Sequence, residues 1–196
     1  MKIAARRYLA LAVASSLSLA FAPAYARSLT PGQSATVQPG DTPEAWSLNG
    51  ATLNVNPGGK TLDINAAQLS RLTLSGAEVT AASREAGIRV VSSTLDLSDS
   101  VIENATERGV SLAVGGFDGR PASNANIRNS RITGLGLGVS VSTAEIGQRA
   151  TLNLDNTQVL GRLSSFAQPR AGNGLLVIGN ADVLIGNGSV VTGELN

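Results

Sequence analysis

The sequence predicts an all-β chain folded as a parallel β-helix of about six coils, and three observations support this prediction. A motif of about ten residues recurs five times in the order strand, tight corner, strand. Similar residue types return at each corner, and a glycine precedes a second run of alternating aliphatic residues in most repeats. Beyond residue 49, no window sustains apolar residues at the helical period of about 3.6 residues.

The repeated motif consists of two alternating apolar residues, a corner and a closing aliphatic residue. Because successive strand residues point to opposite faces, the alternating aliphatic residues define one buried face. The second apolar residues of successive copies are 23 to 31 residues apart, which indicates loops of variable length around a constant core. The five copies are Leu72–Val79, Leu95–Ile102, Ala125–Ile132, Leu152–Val159 and Val183–Val190.

The corner chemistry separates the β-helix from a β-sandwich, the competing fold. A sandwich also has short strands and turns, but it gives no reason for one corner type to return at a similar offset from a Gly-led strand. The corner residues all tolerate positive φ. They are Gly76, Asp99, Asn129, Asn156 and Asn187. The Gly-led strands begin at Gly87, Gly109, Gly138 and Gly174.

Residues 1–26 have the composition of a secretory signal peptide. A basic start precedes an apolar run from Tyr8 to Ala22, and Ala24 and Ala26 supply the small residues that signal peptidase requires. The run is shorter than the ~20 residues of a membrane-spanning helix. We therefore expect export of the chain and cleavage before Arg27.

The rest of the chain divides into a cap and a β-helix. Residues 27–48 are rich in proline and contain Trp46, which is typical of a segment that covers the end of a solenoid. Residues 49–196 form the predicted β-helix. Because the sequence stops within a repeat, we expect this segment to be truncated at its C-terminus.

Charge and residue usage exclude several classes of function. Removal of the leader reduces the 15 Lys and Arg to 12, against 14 Asp and Glu, so no basic stripe is available for nucleic acid. The chain contains no Cys and no His, which excludes a Ser-His-Asp triad, a cysteine nucleophile and His or thiolate metal sites. We predict a protein that is not an enzyme and that uses neither cofactor nor metal.

The corner repeats, the Gly-led strands and the closing residues 186–195 resemble the pertactin-like autotransporter passenger domains. The resemblance spans Leu53 to Leu195, and the leader agrees with it. It implies a right-handed, three-sided β-helix that passes through the periplasm and reaches the outer-membrane surface or the medium. In that family a C-terminal translocator barrel performs the last step, and this sequence lacks that barrel. The implied function is a structural or adhesive stalk.

Two segments are longer than a coil requires, Val114–Ala122 and Arg162–Asn173. Loops carry recognition more often than the scaffold, and a Phe with an Arg is a typical anchor for a partner. A host-surface protein or glycan is therefore the predicted partner. The alternative is that each Phe folds back over apolar surface. The candidate residues are Phe117, Arg120, Phe166 and Arg170.

The alternative function is that of a pectate-lyase-like, carbohydrate-active β-helix. Such enzymes need carboxylates that share a cleft about 5 to 10 Å apart, or Ca²⁺ with a basic residue. Asp96 lies between two leucines and points outward, and Asp99 occupies a corner. Residues 115–119 approach a calcium-binding repeat, but a single copy is more typical of a turn. The candidates are Asp96, Asp99, Glu103 and Glu107, with Arg84 and Arg89.

Overall fold

The computed structural model describes residues 26–81, 86–116, 122–143, 149–164 and 172–194, with the side chains at 107–110 excepted. Within these ranges the chain is all-β and contains no helix, as the sequence predicts. The strands are β1 (Arg27–Leu29), β2 (Ser34–Val37), β3 (Trp46–Asn49), β4 (Thr52–Val55), β5 (Lys60–Thr61), β6 (Ile64–Ala67), β7 (Arg71–Ser75), β8 (Glu78–Thr80), β9 (Ile88–Val91), β10 (Thr94–Ser98), β11 (Val101–Gly116), β12 (Asn124–Arg128), β13 (Arg131–Thr143), β14 (Ala150–Asp155), β15 (Gln158–Arg162), β16 (Asn173–Ile178), β17 (Ala181–Gly186) and β18 (Val190–Gly193).

These strands form two sheets in which every pairing is parallel. The 7-stranded sheet, ladder A, contains β2, β4, β7, β10, β12, β14 and β17 in order. The 11-stranded sheet contains two series of paired strands. Ladder B contains β5, β8, β11, β13, β15 and β18. Ladder C contains β1, β3, β6, β9, β11, β13 and β16.

The two long strands, β11 and β13, belong to both ladders B and C. The first residues of β11 pair with β8 and its last residues pair with β9, with a register shift between Asn104 and Gly109. From β3 onward the chain visits the ladders in the order C, A, B and then returns to C. Parallel pairing between successive visits does not fit an antiparallel β-sandwich.

The register of ladder A confirms the repeat that the sequence predicts. The second apolar residues of the five copies stack on one another in consecutive strands, and those in the first four copies are almost fully buried. Each aliphatic side chain therefore packs against its counterparts in the neighbouring strands. These residues are Leu74, Leu97, Ile127, Leu154 and Ile185.

The corners have the predicted backbone conformation. All five corner residues have positive φ, between 28° at Asn187 and 57° at Gly76. In the last copy, however, Gly188 also has positive φ and adds one residue to the corner. The residue that closes this copy in register with Val159 is therefore Val191, and the assignment of Val190 to that position was wrong.

One of the predicted Gly-led strands is also corrected by the register. Leu112 pairs with Ile88 and with Val139, so Ser111 stands where Gly87 and Gly138 stand in the other copies. Gly109 instead pairs with Gly136. The register offset between β11 and β13 changes from 30 to 27 residues between Asn104 and Gly109, and nothing in the local pattern reports that shift.

Buried hydroxyl groups form two stacks beside ladder A, one just after its strands end and one just before they begin. The Oγ atom of Ser100 accepts a hydrogen bond of 3.0 Å from the backbone N–H of Ala77 in the preceding strand connection. The backbone N–H of Ser100 donates in turn to Oγ of Ser130 at 3.1 Å. These bonds join neighbouring corners inside the core. A second stack of this kind contains Ala51, Ser70, Ser93 and Ser123.

The segment predicted as a cap, residues 27–48, supplies β1, β2 and most of β3. Strand β2 pairs with β4, so ladder A contains seven strands. Trp46 pairs with Ile64 and its side chain is buried in the core. No described helix is long and apolar enough to span a membrane.

Candidate functional site

The four residues predicted to bind a partner lie outside the described residues. The structure places the strands on either side of them: β11 ends at Gly116, and β15 and β16 flank the second segment. The predicted first loop began too early, because Val114 is a buried residue of β11 that pairs with Val90 and Val141. The predicted site residues that lie outside the described ranges are Phe117, Arg120, Phe166 and Arg170, together with Arg84.

The carboxylate of Asp96 belongs to a row of polar side chains on the outer face of ladder A. Its Oδ1 atom accepts a hydrogen bond of 3.1 Å from the amide of Asn126, and its Oδ2 atom lies 3.5 Å from Arg71. The amide of Asn153 continues the row by donating to Asn126 at 2.8 Å. Asp96 therefore joins neighbouring strands, and Arg89 lies on the different ladder C.

Asp99 and Glu103 do lie close to one groove, on the outer face of ladder B where it meets the corners of ladder A. The groove has a volume of about 430 Å³. Its lining includes a close ion pair of 2.6 Å between Nζ of Lys60 and Oε2 of Glu78. The charged residues that line the groove are Lys60, Glu78, Asp99, Glu103 and Arg131.

Arg131 also lines a second groove of about 400 Å³ further along ladder B. This groove is lined by Gln158, Arg162 and Thr192, and it contains no carboxylate. Arg131 thus separates a part of the surface that contains three carboxylates from a part whose charged groups are guanidinium groups. Together the grooves follow the ladder from β5 to β18.

The chemistry available in these grooves is hydrogen bonding and charge pairing. Glu78 is paired with Lys60, and Oδ1 of Asp99 accepts a hydrogen bond of 3.2 Å from Asn129. Both carboxylates therefore have structural partners. Among the described residues, no group of three or more Asp and Glu is placed to hold a metal ion. With five charged side chains in its lining, the first groove suits a polar ligand better than an apolar one.

The sequence analysis did not predict that Lys60, Glu78 and Arg131 lie next to one another. They form one column of ladder B, because Lys60 pairs with Glu78, and Val101 pairs with both Glu78 and Arg131. A signal for part of this column was present in the sequence. Glu78, Val101 and Arg131 each stand two residues after a corner residue.

A smaller cavity of about 250 Å³ lies beside Trp46 at the end of the sheets that contains β1 and β2. The guanidinium of Arg27 lies 5.0 Å from the centre of the indole ring and 3.7 Å from Glu44. The indole Nε1 is buried without a hydrogen-bond partner among the described residues. Trp46 therefore acts mainly as a core residue that Arg27 and its neighbours cover.

Comparison with known proteins gives no relative from which a function can be transferred. No family model, no curated protein and no solved structure matches this chain. The function is therefore inferred from the fold and the surfaces described above.

Proposed function

We propose that this chain is an exported, right-handed, three-sided parallel β-helix of the pertactin-like autotransporter passenger type, and that it acts as a structural or adhesive stalk. One observation carries the proposal: the chain visits ladders C, A and B in a fixed order and pairs in parallel with its previous visit each time. A coiled chain with one ladder on each of three sides produces this order.

The direction of the backbone hydrogen bonds between strands supports a stalk function. Backbone hydrogen bonds between parallel strands run along the axis of a β-helix, and each coil adds about 4.8 Å. Seven strands in ladder A correspond to a rod about 30 Å long. The serine stacks and the Asp96–Asn126–Asn153 row add side-chain bonds in the same direction. Such a rod resists bending and presents loops at its sides.

Export is tested by expressing the chain with its leader in a Gram-negative host. We expect a periplasmic product whose N-terminal residue is Arg27, as measured by mass spectrometry of the purified protein. Replacing Ala24 and Ala26 by bulky Leu residues removes the small side chains that signal peptidase requires, so the product should keep its leader. A full-length chain that stays in the cytoplasm would contradict the proposal.

Adhesion is tested with bacteria that display the passenger fused to a translocator barrel. Phe117→Ala and Phe166→Ala should reduce attachment to host cells and leave surface display and trypsin resistance unchanged. Thr73→Ala, on the outer face of ladder A, is the matched control because it changes the rod and not the loops. Equal attachment by the Phe variants and the control would remove adhesion through these loops.

A second candidate is a carbohydrate-active, pectate-lyase-like β-helix, and the groove that holds Glu78, Asp99 and Glu103 favours it. The purified chain is incubated with pectic polysaccharides and Ca²⁺, and unsaturated products or new reducing ends are measured. Activity that Glu103→Gln abolishes would support this candidate over the stalk. No product from any acidic polysaccharide would leave the stalk as the function.

A further inference from the structure

Two arginines, Arg131 and Arg162, line one groove on the outer face of ladder B, together with Gln158. We call this the arginine groove. Its volume of about 400 Å³ is within the ~300 to 1,000 Å³ of small-molecule sites. Three other arginines each pair with a carboxylate, but among the described residues no salt bridge engages Arg131 or Arg162. Their guanidinium groups are therefore available to a ligand.

The strand register explains why these side chains share a groove. Arg131 of β13 pairs with Gln158 of β15. Residues 158, 160 and 162 point outward along β15, because the residues between them are buried. Arg162 therefore lies on the same face as Gln158, four residues or about 13 Å further along the strand. The surface between the two arginines contains Leu160 and its pairing partner Thr192.

The arginine groove lies on the side of ladder B, and its exposure does not depend on where the chain ends. Arg131 has a paired strand on both sides, through Val101 of β11 and Gln158 of β15, and its side chain is still exposed. Gln158 is likewise exposed between β13 and β18. Neighbouring strands stack along the ladder and leave outward side chains uncovered.

The lining of the arginine groove matches an oxyanion attached to a sugar. A guanidinium forms paired, charge-assisted hydrogen bonds with an oxyanion such as a carboxylate. The amide of Gln158 and the hydroxyl of Thr192 both donate and accept hydrogen bonds, as sugar hydroxyl groups do. Leu160 and Val190 add apolar surface against which the C–H groups of a sugar ring pack. None of the described residues that line this groove is a carboxylate, so none repels the anion.

The neighbouring groove limits the site on one side. Arg131 also lines that groove, whose carboxylates belong to Glu78, Asp99 and Glu103. Their negative charge repels an anionic group within the screening length of about 8 Å at physiological salt. An anionic ligand is therefore directed to the part of ladder B that lies beyond Arg131, where the charged lining residues are the two arginines.

We propose that the arginine groove binds an acidic glycan, whose sulfate or carboxylate groups pair with Arg131 and Arg162 and whose hydroxyl groups contact Gln158 and Thr192. The groove binds this ligand without cleaving it, because its described lining contains no carboxylate and no His to act as acid or base. Two separate arginines do not form the basic stripe that a nucleic acid needs. This inference goes beyond the proposed function, since binding by the purified chain needs neither export nor the loops.

The first test titrates the purified chain with heparin, which is sulfated, and with polygalacturonate, which is carboxylated. Isothermal titration calorimetry in EDTA measures both, with uncharged dextran as the reference. We expect at least one acidic glycan to bind, less tightly as salt is raised, and dextran not to bind. The tighter of the two identifies the preferred anion. Binding of neither, or equally tight binding of a DNA oligonucleotide, overturns the proposal.

The second test removes each arginine. Arg131→Gln and Arg162→Gln should each lower the affinity for the bound glycan about tenfold, because each removes charge-assisted hydrogen bonds. Arg89→Gln is the matched control. It removes the same charge from an exposed position on ladder C and should leave the affinity within about twofold. Equal losses in all three variants would show that only total charge matters, and would overturn the site.

The third test changes the groove and keeps both arginines. Gln158→Glu places a carboxylate beside Arg131, where it competes with the ligand, so the affinity should fall about tenfold. Glu103→Gln removes a carboxylate from the other side of Arg131 and should raise the affinity about twofold. Urea unfolding checks that both variants are folded. An unchanged affinity in Gln158→Glu, or weaker binding in Glu103→Gln, contradicts this placement of the ligand.

Discussion

The side-chain amide of Asn129 donates a hydrogen bond of 3.2 Å to Oδ1 of Asp99, which occupies the neighbouring corner thirty residues earlier. Asn156 donates to Asn129 in the same way at 3.0 Å. All three residues have φ between 47° and 52°. Asparagine therefore meets two requirements at this corner, because it tolerates a left-handed backbone and its amide links one corner to the next.

Replacing Asn129 separates these two requirements. Asn129→Ala loses both amide bonds and places a Cβ-bearing residue without local compensation at φ 49°, so we expect the free energy of unfolding to fall by about 2 kcal/mol. Asn129→Gly loses the same bonds but tolerates the backbone, and should cost about 1 kcal/mol. Urea unfolding followed by circular dichroism measures both. Equal losses would show that the backbone conformation contributes nothing.

Replacing Ser100 tests how much the buried hydroxyl stack contributes to stability. Ser100→Ala leaves the backbone N–H of Ala77 without its acceptor in the core, so we expect a loss of about 1 to 3 kcal/mol in unfolding free energy. Ser98→Ala is the matched control, because that half-exposed side chain lies outside the stack and should change stability by less than about 0.5 kcal/mol. The idea fails if the two variants unfold at the same urea concentration.

Gly138 tests the close approach of two ladders. An added Cβ at this position would lie 2.7 Å from the carbonyl oxygen of Gly174 and 2.8 Å from Cγ1 of Val159. We expect Gly138→Ala to destabilise the chain by about 1 to 3 kcal/mol, because backbone must move to admit the methyl group. Gly186→Ala meets its nearest atom at 3.6 Å and should be tolerated. Thermal unfolding of the two variants at one protein concentration measures the difference between their stabilities.

The ion pair between Lys60 and Glu78 tests how much a surface charge contributes. Its side chains are 58% and 47% exposed, so we expect Lys60→Gln to lower the unfolding free energy by less than about 1 kcal/mol. The difference from the native chain should shrink further in 1 M salt, where the screening length is about 3 Å. A loss several times larger, or one that salt does not reduce, would contradict this estimate of a solvent-screened pair.

Much of the candidate surface could not be predicted from individual residues of the sequence. Asp96 and Asp99 have similar sequence settings, yet the first joins the outer row of ladder A and the second lies at the groove near Arg131. The difference depends on which strands are neighbours across distances of 30 residues. Charge and spacing along the chain do not specify that relationship.

The register errors have the same origin. Gly109 was assigned to the glycine column that Ser111 occupies, and Val190 to the aliphatic position that Val191 occupies. A single inserted residue reverses which side chains face the core in a strand. Gly188 adds one residue to the corner at Asn187, and this Asn-Gly pair looks like a complete corner in the sequence.

The sequence by itself determined the all-β class, the repeat and the positive-φ corners, because period-two burial and left-handed corners restrict residue type locally. The tertiary structure decided which strands pair and how Lys60, Glu78 and Arg131 come to share one groove. These features depend on contacts between residues far apart in the chain. Such contacts are set by the packing of whole strands, and the local spacing of Glu78 and Arg131 from their corners indicates only part of them.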